Sequence, residues 1–479
     1  MRFAQPWKVT FVSFISRSYP MIQKTLKIEH ADYLFTLDRD RRIIQNGSLL
    51  VEGQRIRRIG PAAELQDVAA DRVIDARGKV VTPGFVNAHD HLYPQIMRGM
   101  MLDEIGPTYV EDFCSVRDAI SEEEEYLGVL SCLTEHLKYG TTTILNPGDS
   151  PRLDPAFQAY EETGARVIMG RNVTDVPNKV QTRTVPTPQA LAELEQVIRR
   201  YNGRCSDRVT AWVMLAYATT ACSEELAVAS KRLADTHGVG MTFHQSARQV
   251  HVDESLRLHG MRPVEYLEKL GVVGPNVLLG HALRVSDREI EIMARTQTRA
   301  VACPGTSLRC GYGTTAIGKL PEMLAQGVVV GLGTDSSDFG VAETMRQMYL
   351  AATLYKDARE DTRLVPAEKA LEMATIDGAR VLGLEKDIGS LEPGKKADIV
   401  LFDARRPEWR PILNPVNNLV YNADGRSVET VIVDGSIRIE GGRPTFIDET
   451  ALSDRVQAAA DALVARAGFN VPSRWPIVR

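Results

Sequence analysis

The chain has 479 residues, 44% hydrophobic and 25% charged, an ordinary globular balance with length enough for two or more folded units. A formal net charge of −5 leaves no basic footprint for nucleic acid or an anionic membrane surface, and no apolar run approaches the roughly 18 residues of a membrane span. The six cysteines (Cys114, Cys132, Cys205, Cys222, Cys303 and Cys310) form no CxxC pair and no dense framework, which reads as reduced thiols in a cytoplasmic protein.

Residues 1–20 read as an N-terminal extension. Its mildly apolar WKVTFVSFIS is interrupted by Lys8 and lacks a small-residue cleavage site, so no signal peptide is expected and Met21 is an alternative start. From residue 21 to 82, LKIEHADYLFTL, SLLVEGQRIRRIG and RVIDARGKVV alternate apolar and polar residues and break at Asn46-Gly47, Glu52-Gly53 and Arg77-Gly78, which predicts short strands joined by tight turns. Residues 392–479 supply a matching texture in VETVIVDGSIRIEGGRP, then an Ala-rich helix in ETALSDRVQAAADALVARAG with an Asp or Ser cap. The economical arrangement is one small β-sandwich built from both ends of the chain, with a large insertion over residues 83–391.

Within the insertion, eight apolar runs alternate with helical stretches: VVTPGFVNAH, TTTILNP, ARVIMGRNV, VTAWVMLAY, GMTFHQS, NVLLGHA, RAVACPG and VVVGLGTD. The helical stretches, such as SEEEEYLGVLSCLTEHLKYG and SEELAVASKRLADTHG, begin acidic and end on glycine. Eight βα units imply parallel strands with right-handed crossovers, and eight close a (β/α)8 TIM barrel, an α/β fold. A doubly wound open sheet is disfavoured, because no Gly-rich dinucleotide turn opens the first unit.

In such a barrel, chemistry collects at the carboxyl ends of the strands. Strand one ends in His89-Asp90-His91, and alternation along an extended chain turns the two imidazoles the same way, as one metal ion requires. Strand five ends in His244, strand six in His281 and strand eight in Asp335, so four of the nine histidines and an aspartate converge on one rim. His136 and His237 fall inside helical stretches and are expected at the surface or at helix ends. Met97, Met100, Met101 and Leu102 follow the His-Asp-His loop as core or as an apolar pocket wall.

PGFVNAHDH, FHQS, GHA and GTD, in this order and on these strands, resemble the amidohydrolase superfamily, as do DARGKVVTPGF before the barrel and IGSLEPGKKADIVLFD after it. The likeness runs from residue 21 nearly to the end. It is closest to the mononuclear branch of triazine hydrolases, cytosine- and adenosine-type deaminases, and phenylurea and thiocarbamate hydrolases, with xenobiotic degradation among its roles. The resemblance implies that His89, His91, His244 and Asp335 bind one divalent metal ion. Zinc is the expected occupant, with iron, cobalt or manganese as alternatives. Binuclear relatives carry a lysine at the end of strand four, and VTAWVMLAYATTAC has none. The resemblance further implies a metal-bound hydroxide as nucleophile, with His281 and Asp335 as the catalytic residues that orient it and move the proton. The expected partner is a small-molecule substrate, with no nucleic acid and no membrane, and the expected assembly is a homo-oligomer, a homodimer.

Deaminases and triazine dechlorinases of this branch usually show HxxE after strand five, the Glu protonating a ring nitrogen; here the segment is His244-Gln245-Ser246-Ala247, and a methyl group donates no proton. Losing that donor costs a ring substrate about 10²–10⁴-fold, whereas a carbonyl needs no ring protonation. The sequence therefore favours a small neutral amide, urea, carbamate or thiocarbamate, with a deaminase or chlorohydrolase of a pyrimidine, purine or s-triazine as the alternative. Arg248, His251, Asp253 and Glu254 lie near enough to supply a substitute acid. Ser307 stands where relatives often have Pro-x-Ser-Asn, without the Asn. Substrate contacts are expected from Arg98, Thr219, Thr220, the Ala247 position and Ser307, and a hydrogen bond to the site from Asp338.

Overall fold

The structure is a computed structural model that describes residues 24–100, 109–178 and 183–478. The expected extension over residues 1–20, the alternative start at Met21, and Met101 and Leu102 of the apolar stretch lie outside the described residues.

All eight apolar runs form strands: Phe85–Asn87, Thr141–Leu145, Arg166–Met169, the broken pair Val209–Ala211 and Val213–Leu215, Met241–Gln245, Val277–His281, Arg299–Ala302 and Val330–Leu332. Neighbours along this series pair in parallel. Their side chains are buried almost throughout, which is why they read as unbroken apolar runs rather than alternating ones. The fourth strand breaks at Trp212, so its first half pairs with the third strand and its second half with the fifth. Trp212 N bridges the break by donating to Met169 O at 2.9 Å.

The ring closes between the last strand and the first. Ala88 N donates to Leu332 O at 2.8 Å, and beyond it Asp335 and Ser336 pair in parallel with Asp90 and His91. Closure of the barrel therefore lays Asp335 beside the His-Asp-His segment, 246 residues away in sequence from its first histidine. Helices on the outside follow their sequence signals. Glu122–Lys138 starts at a Ser121–Glu124 capping box with four glutamates in its first turn. Glu224–His237 starts at Ser223 and stops at Gly238 in the left-handed conformation, φ 63°.

Strands from both ends of the chain share one nine-stranded sheet, in which Lys79–Pro83 runs antiparallel to Ile399–Asp403. The sheet curls until the turn at Gly435 meets the turn at Gly53 and closes over Leu26, Ile28, Leu49, Ile56, Ile399, Leu401 and Ile432. A buried ion cluster ties it to the barrel: Arg166, on the third barrel strand, reaches Asp398 at 3.0 and 3.1 Å and Asp434 at 3.4 Å. The C-terminal helix, Glu449–Ala467, is capped by the Asp448 side chain and packs on Glu122–Lys138. Among the described residues no helix is long and apolar enough to cross a membrane.

Candidate metal centre and active site

Three strand ends and the closure of the ring bring His89, His91, His244 and Asp335 together, with one donor atom from each lying within 4.8 Å of all the others. Asn87 fixes the first of these ends: its amide donates to Thr334 Oγ1 at 2.6 Å, while its oxygen accepts from His89 N at 3.2 Å and Thr334 N at 3.3 Å. Asp335 N donates to His89 O, and His244 N to Ala216 O. Ser246, His281 and Asp335 have φ of 51°, 72° and 73°. Left-handed backbone at a non-glycine residue costs about 1–3 kcal/mol, and its clustering here marks a site held in place by its surroundings.

The donor separations match what one ion needs. His89 Nε2 lies 3.1 Å and His91 Nε2 3.5 Å from Asp335 Oδ1, and the two Nε2 atoms of His91 and His244 are 3.1 Å apart. Tetrahedral bonds of about 2.0–2.1 Å place ligand atoms about 3.3 Å from one another. Two imidazole nitrogens turned toward each other, with a carboxylate oxygen beside them, suit a shared cation better than one another. His89, His91, His244 and Asp335 therefore fit a divalent ion.

Burial and neighbouring charge set the charge states: burial lowers the His91 imidazole, but the Asp149 and Asp335 carboxylates outweigh it and hold the ring well above its ordinary value. Burial lowers the His244 imidazole well below its ordinary value, aided by His89 and His91, so the ring is neutral and its lone pair is free for a metal. Burial pushes the Asp335 carboxyl up, but His281, His89 and His91 outweigh it and hold the group well below the carboxylate range. His281 sits behind this set, its Nε2 3.8 Å from Asp335 Oδ1; burial brings it down to about 4 against the pull of Asp335, which leaves a neutral base at pH 7.

The centre opens into a cavity of about 520 Å³ whose wall includes His91, His244, His281, Asp335, Tyr217, Tyr312 and Phe339. The Tyr217 ring stacks on His244 with centroids 5.2 Å apart, and Tyr312 stands edge-on to His281 at 6.3 Å. Arg117, Arg171 and Arg183 also line it.

Of the residues expected to contact substrate or to support the site, none of Arg98, Thr219, Thr220, Ala247, Ser307 and Asp338 lines this cavity. Arg98 is spent on Glu135 and on the carbonyls of Ser337 and Gly340. Thr219 is buried on Gln245, and its carbonyl accepts from His259. Ala247 is 3% exposed, packed at the foot of the helix Gln249–His259. Ser307 is buried in the short helix Pro304–Arg309. Asp338 accepts from Ser336, a wall residue, and burial raises its carboxyl to about 6. Among the groups considered for a substitute acid, Asp253 is exposed and Glu254 pairs with Arg257. His251 lies behind Tyr217 with ring centroids 4.8 Å apart, and burial lowers it to about 4.

His136 lies in the last turn of its helix, as expected, but not at the surface. It is fully buried, with Nε2 2.5 Å from Asp90 Oδ2, on the side of the first strand opposite His89 and His91. Cys132 joins that pair, its Sγ 3.7 Å from the same Asp90 oxygen. Sequence reasoning missed Tyr217, although it ends the fourth apolar run, and Asp149, two residues past the second, which lies 2.7 Å from His91 Nδ1.

A profile of the amidohydrolase family matches residues 80–438. The chain is 32% identical over 422 residues to a 5'-deoxyadenosine deaminase of Methanothermobacter thermautotrophicus, covering 88% of this chain and 95% of that protein. Its fold superposes with TM-score 0.83 on an adenosine deaminase from Xanthomonas campestris solved with bound zinc, at 23% identity over 92% of this chain and 98% of that one. Atrazine chlorohydrolase from Arthrobacter aurescens, also complexed with zinc, gives TM-score 0.82 at 23% identity over 91% and 100%.

Proposed function

This chain belongs to the amidohydrolase family and is a hydrolase of carbon–nitrogen bonds other than peptide bonds, and from that premise we propose that it is a metal-dependent deaminase of a nitrogen heteroaromatic ring, of the purine nucleoside class. The observation that carries this reading is the likeness to a 5'-deoxyadenosine deaminase over nearly the whole of both chains. The sequence alone favoured a carbonyl substrate; the relatives weigh toward the ring alternative.

On this reading His89, His91, His244 and Asp335 hold one divalent ion, zinc by the chemistry of three imidazoles and a carboxylate. When bound, such an ion lowers the pKa of water from about 15.7 toward 7 and so supplies a nucleophile at neutral pH. The chain's own groups do the rest. Neutral His281 accepts a hydrogen bond from the attacking water and orients it. Asp335, a carboxylate at pH 7, takes the proton from the water and delivers it to the departing amine. Tyr217 and Tyr312 line the cavity beside His244 and His281 and exclude bulk water.

A second reading rests on Ala247. With a methyl group where deaminases of this branch carry the ring-protonating Glu, hydrolysis of an amide, urea, carbamate or thiocarbamate carbonyl demands less of the site. A turnover screen separates the two: ammonia from 5'-deoxyadenosine and 5'-methylthioadenosine on one side, amine or thiol from anilides, phenylureas and thiocarbamates on the other. Ammonia release supports the deaminase. Turnover of the carbonyl panel alone overturns it, and Ala247→Glu then leaves the rate unimproved.

A further inference from the structure

Each imidazole that turns Nε2 toward the centre carries a second nitrogen on its far side, and the partner found there decides which nitrogen holds the proton. For His244 that partner is the backbone carbonyl of Ala216, 3.2 Å from Nδ1. For His89, Nδ1 has no hydrogen-bond partner among the described residues. His91 Nδ1 likewise meets no hydrogen-bond geometry, but it has a charged neighbour: a carboxylate oxygen, Asp149 Oδ2, stands 2.7 Å from it.

The turn that presents this carboxylate is constructed in detail. It follows the second barrel strand, Thr141–Leu145, as Asn146-Pro147-Gly148-Asp149. The Asn146 amide donates to Tyr160 Oη at 3.0 Å and Ser150 Oγ at 3.3 Å, and its oxygen accepts from Gly148 N at 3.3 Å. Gly148 O in turn accepts from Asn172 N at 2.6 Å. Gly148 has φ +88°, and a Cβ there would come within 2.8 Å of Met214 Sδ, so both conformation and space demand glycine. The result is a hydrogen-bonded turn whose tip lies on the cavity wall beside one metal-site histidine.

We propose that Asp149 is a positioning residue for the metal centre: it holds His91 as the tautomer protonated at Nδ1 and so aims the Nε2 lone pair at the ion. The carboxylate also makes the imidazole a stronger donor, because negative charge at one ring nitrogen raises electron density at the other. This rests on the metal-centre reading above. Without the carboxylate, His91 is free to place its proton on Nε2, the form that cannot bind a cation, and to rotate about its side-chain bonds.

The test is a titration of metal-free protein with zinc ion against a chromophoric chelator, for wild type and for Asp149→Ala, Asp149→Asn and His91→Ala, with the unfolding temperature of each metal-free form. Asp149→Ala is expected to weaken zinc binding about 10–100-fold with the metal-free unfolding temperature unchanged. Asp149→Asn, which keeps an acceptor but no charge, loses less. His91→Ala loses the tight site. Wild-type affinity in Asp149→Ala, with the site lost in His91→Ala, overturns the inference and leaves the metal centre standing. Equal affinity in wild type and His91→Ala overturns both. Should Asp149→Ala not fold, undiminished affinity in Asp149→Asn overturns the inference in its place.

Discussion

Replacing Glu125 by Gln changes how stability depends on pH. The Glu125 side chain lies in the helix Glu122–Lys138 and is 0% exposed. One oxygen accepts from Arg152 N at 2.8 Å, and the other has no hydrogen-bond partner among the described residues. Burial pushes the carboxyl up to about 8 from its ordinary 4.5, and the Arg152 N–H offsets only part of this. The folded protein therefore holds a proton here that the unfolded chain releases above about 4.5, and stability falls as pH rises from there to about 8. That interval, at about 1.4 kcal/mol per pH unit, amounts to roughly 5 kcal/mol, fully lost above the folded value. Glu125→Gln keeps the shape and the acceptor without the ionisation. Urea unfolding of both proteins at pH 5 and pH 9 reads the effect: nearly equal midpoints at pH 5, and a Gln variant more stable at pH 9 by up to about 5 kcal/mol. Two stability curves that stay parallel across this range refute the assignment of a neutral buried carboxyl.

Arg166→Met removes the one cation that, among the described residues, lies within 3.5 Å of both Asp398 and Asp434, and should cost about 3–5 kcal/mol in chemical denaturation; a loss below about 1 kcal/mol would mean that the cluster relaxes onto Lys396. His281→Ala should lower turnover about 10²–10⁴-fold while zinc content stays at the wild-type level, since His281 stands behind the four donors rather than among them; lost metal or full turnover contradicts its assigned role. Gly240→Ala sets a methyl group 2.3–2.5 Å from the Trp212 ring at the break in the fourth strand, and a destabilisation of about 1–3 kcal/mol by thermal unfolding is expected. An unchanged unfolding temperature would show that the indole moves freely.

What could be read in advance follows from the kind of signal each feature leaves. Eight buried parallel strands leave eight apolar runs, and side chains at their carboxyl ends are fixed by chain position alone, so His89, His91, His244, His281 and Asp335 were legible. Which neighbouring side chains line the cavity was not, because being near a strand end does not decide the direction of a side chain. Thr219 and Ala247 stand within four residues of wall or metal-site residues, yet both turn into packing. Asp149 was invisible for another reason: its reach to His91 depends on a left-handed Gly148 and on Asn146 hydrogen bonds that no spacing rule encodes. His136 could have been found. It follows Cys132 by four residues and Leu133 by three, on the buried face of its helix, opposite an aspartate that strand alternation turns away from the two flanking histidines.

Anomalous diffraction from crystals of zinc-loaded protein, recorded at the zinc absorption edge, tests the central claim most directly. One strong peak within bonding distance of His89, His91, His244 and Asp335 is the predicted result. No peak there, or two ions sharing these ligands, contradicts the single metal centre on which the chemistry rests.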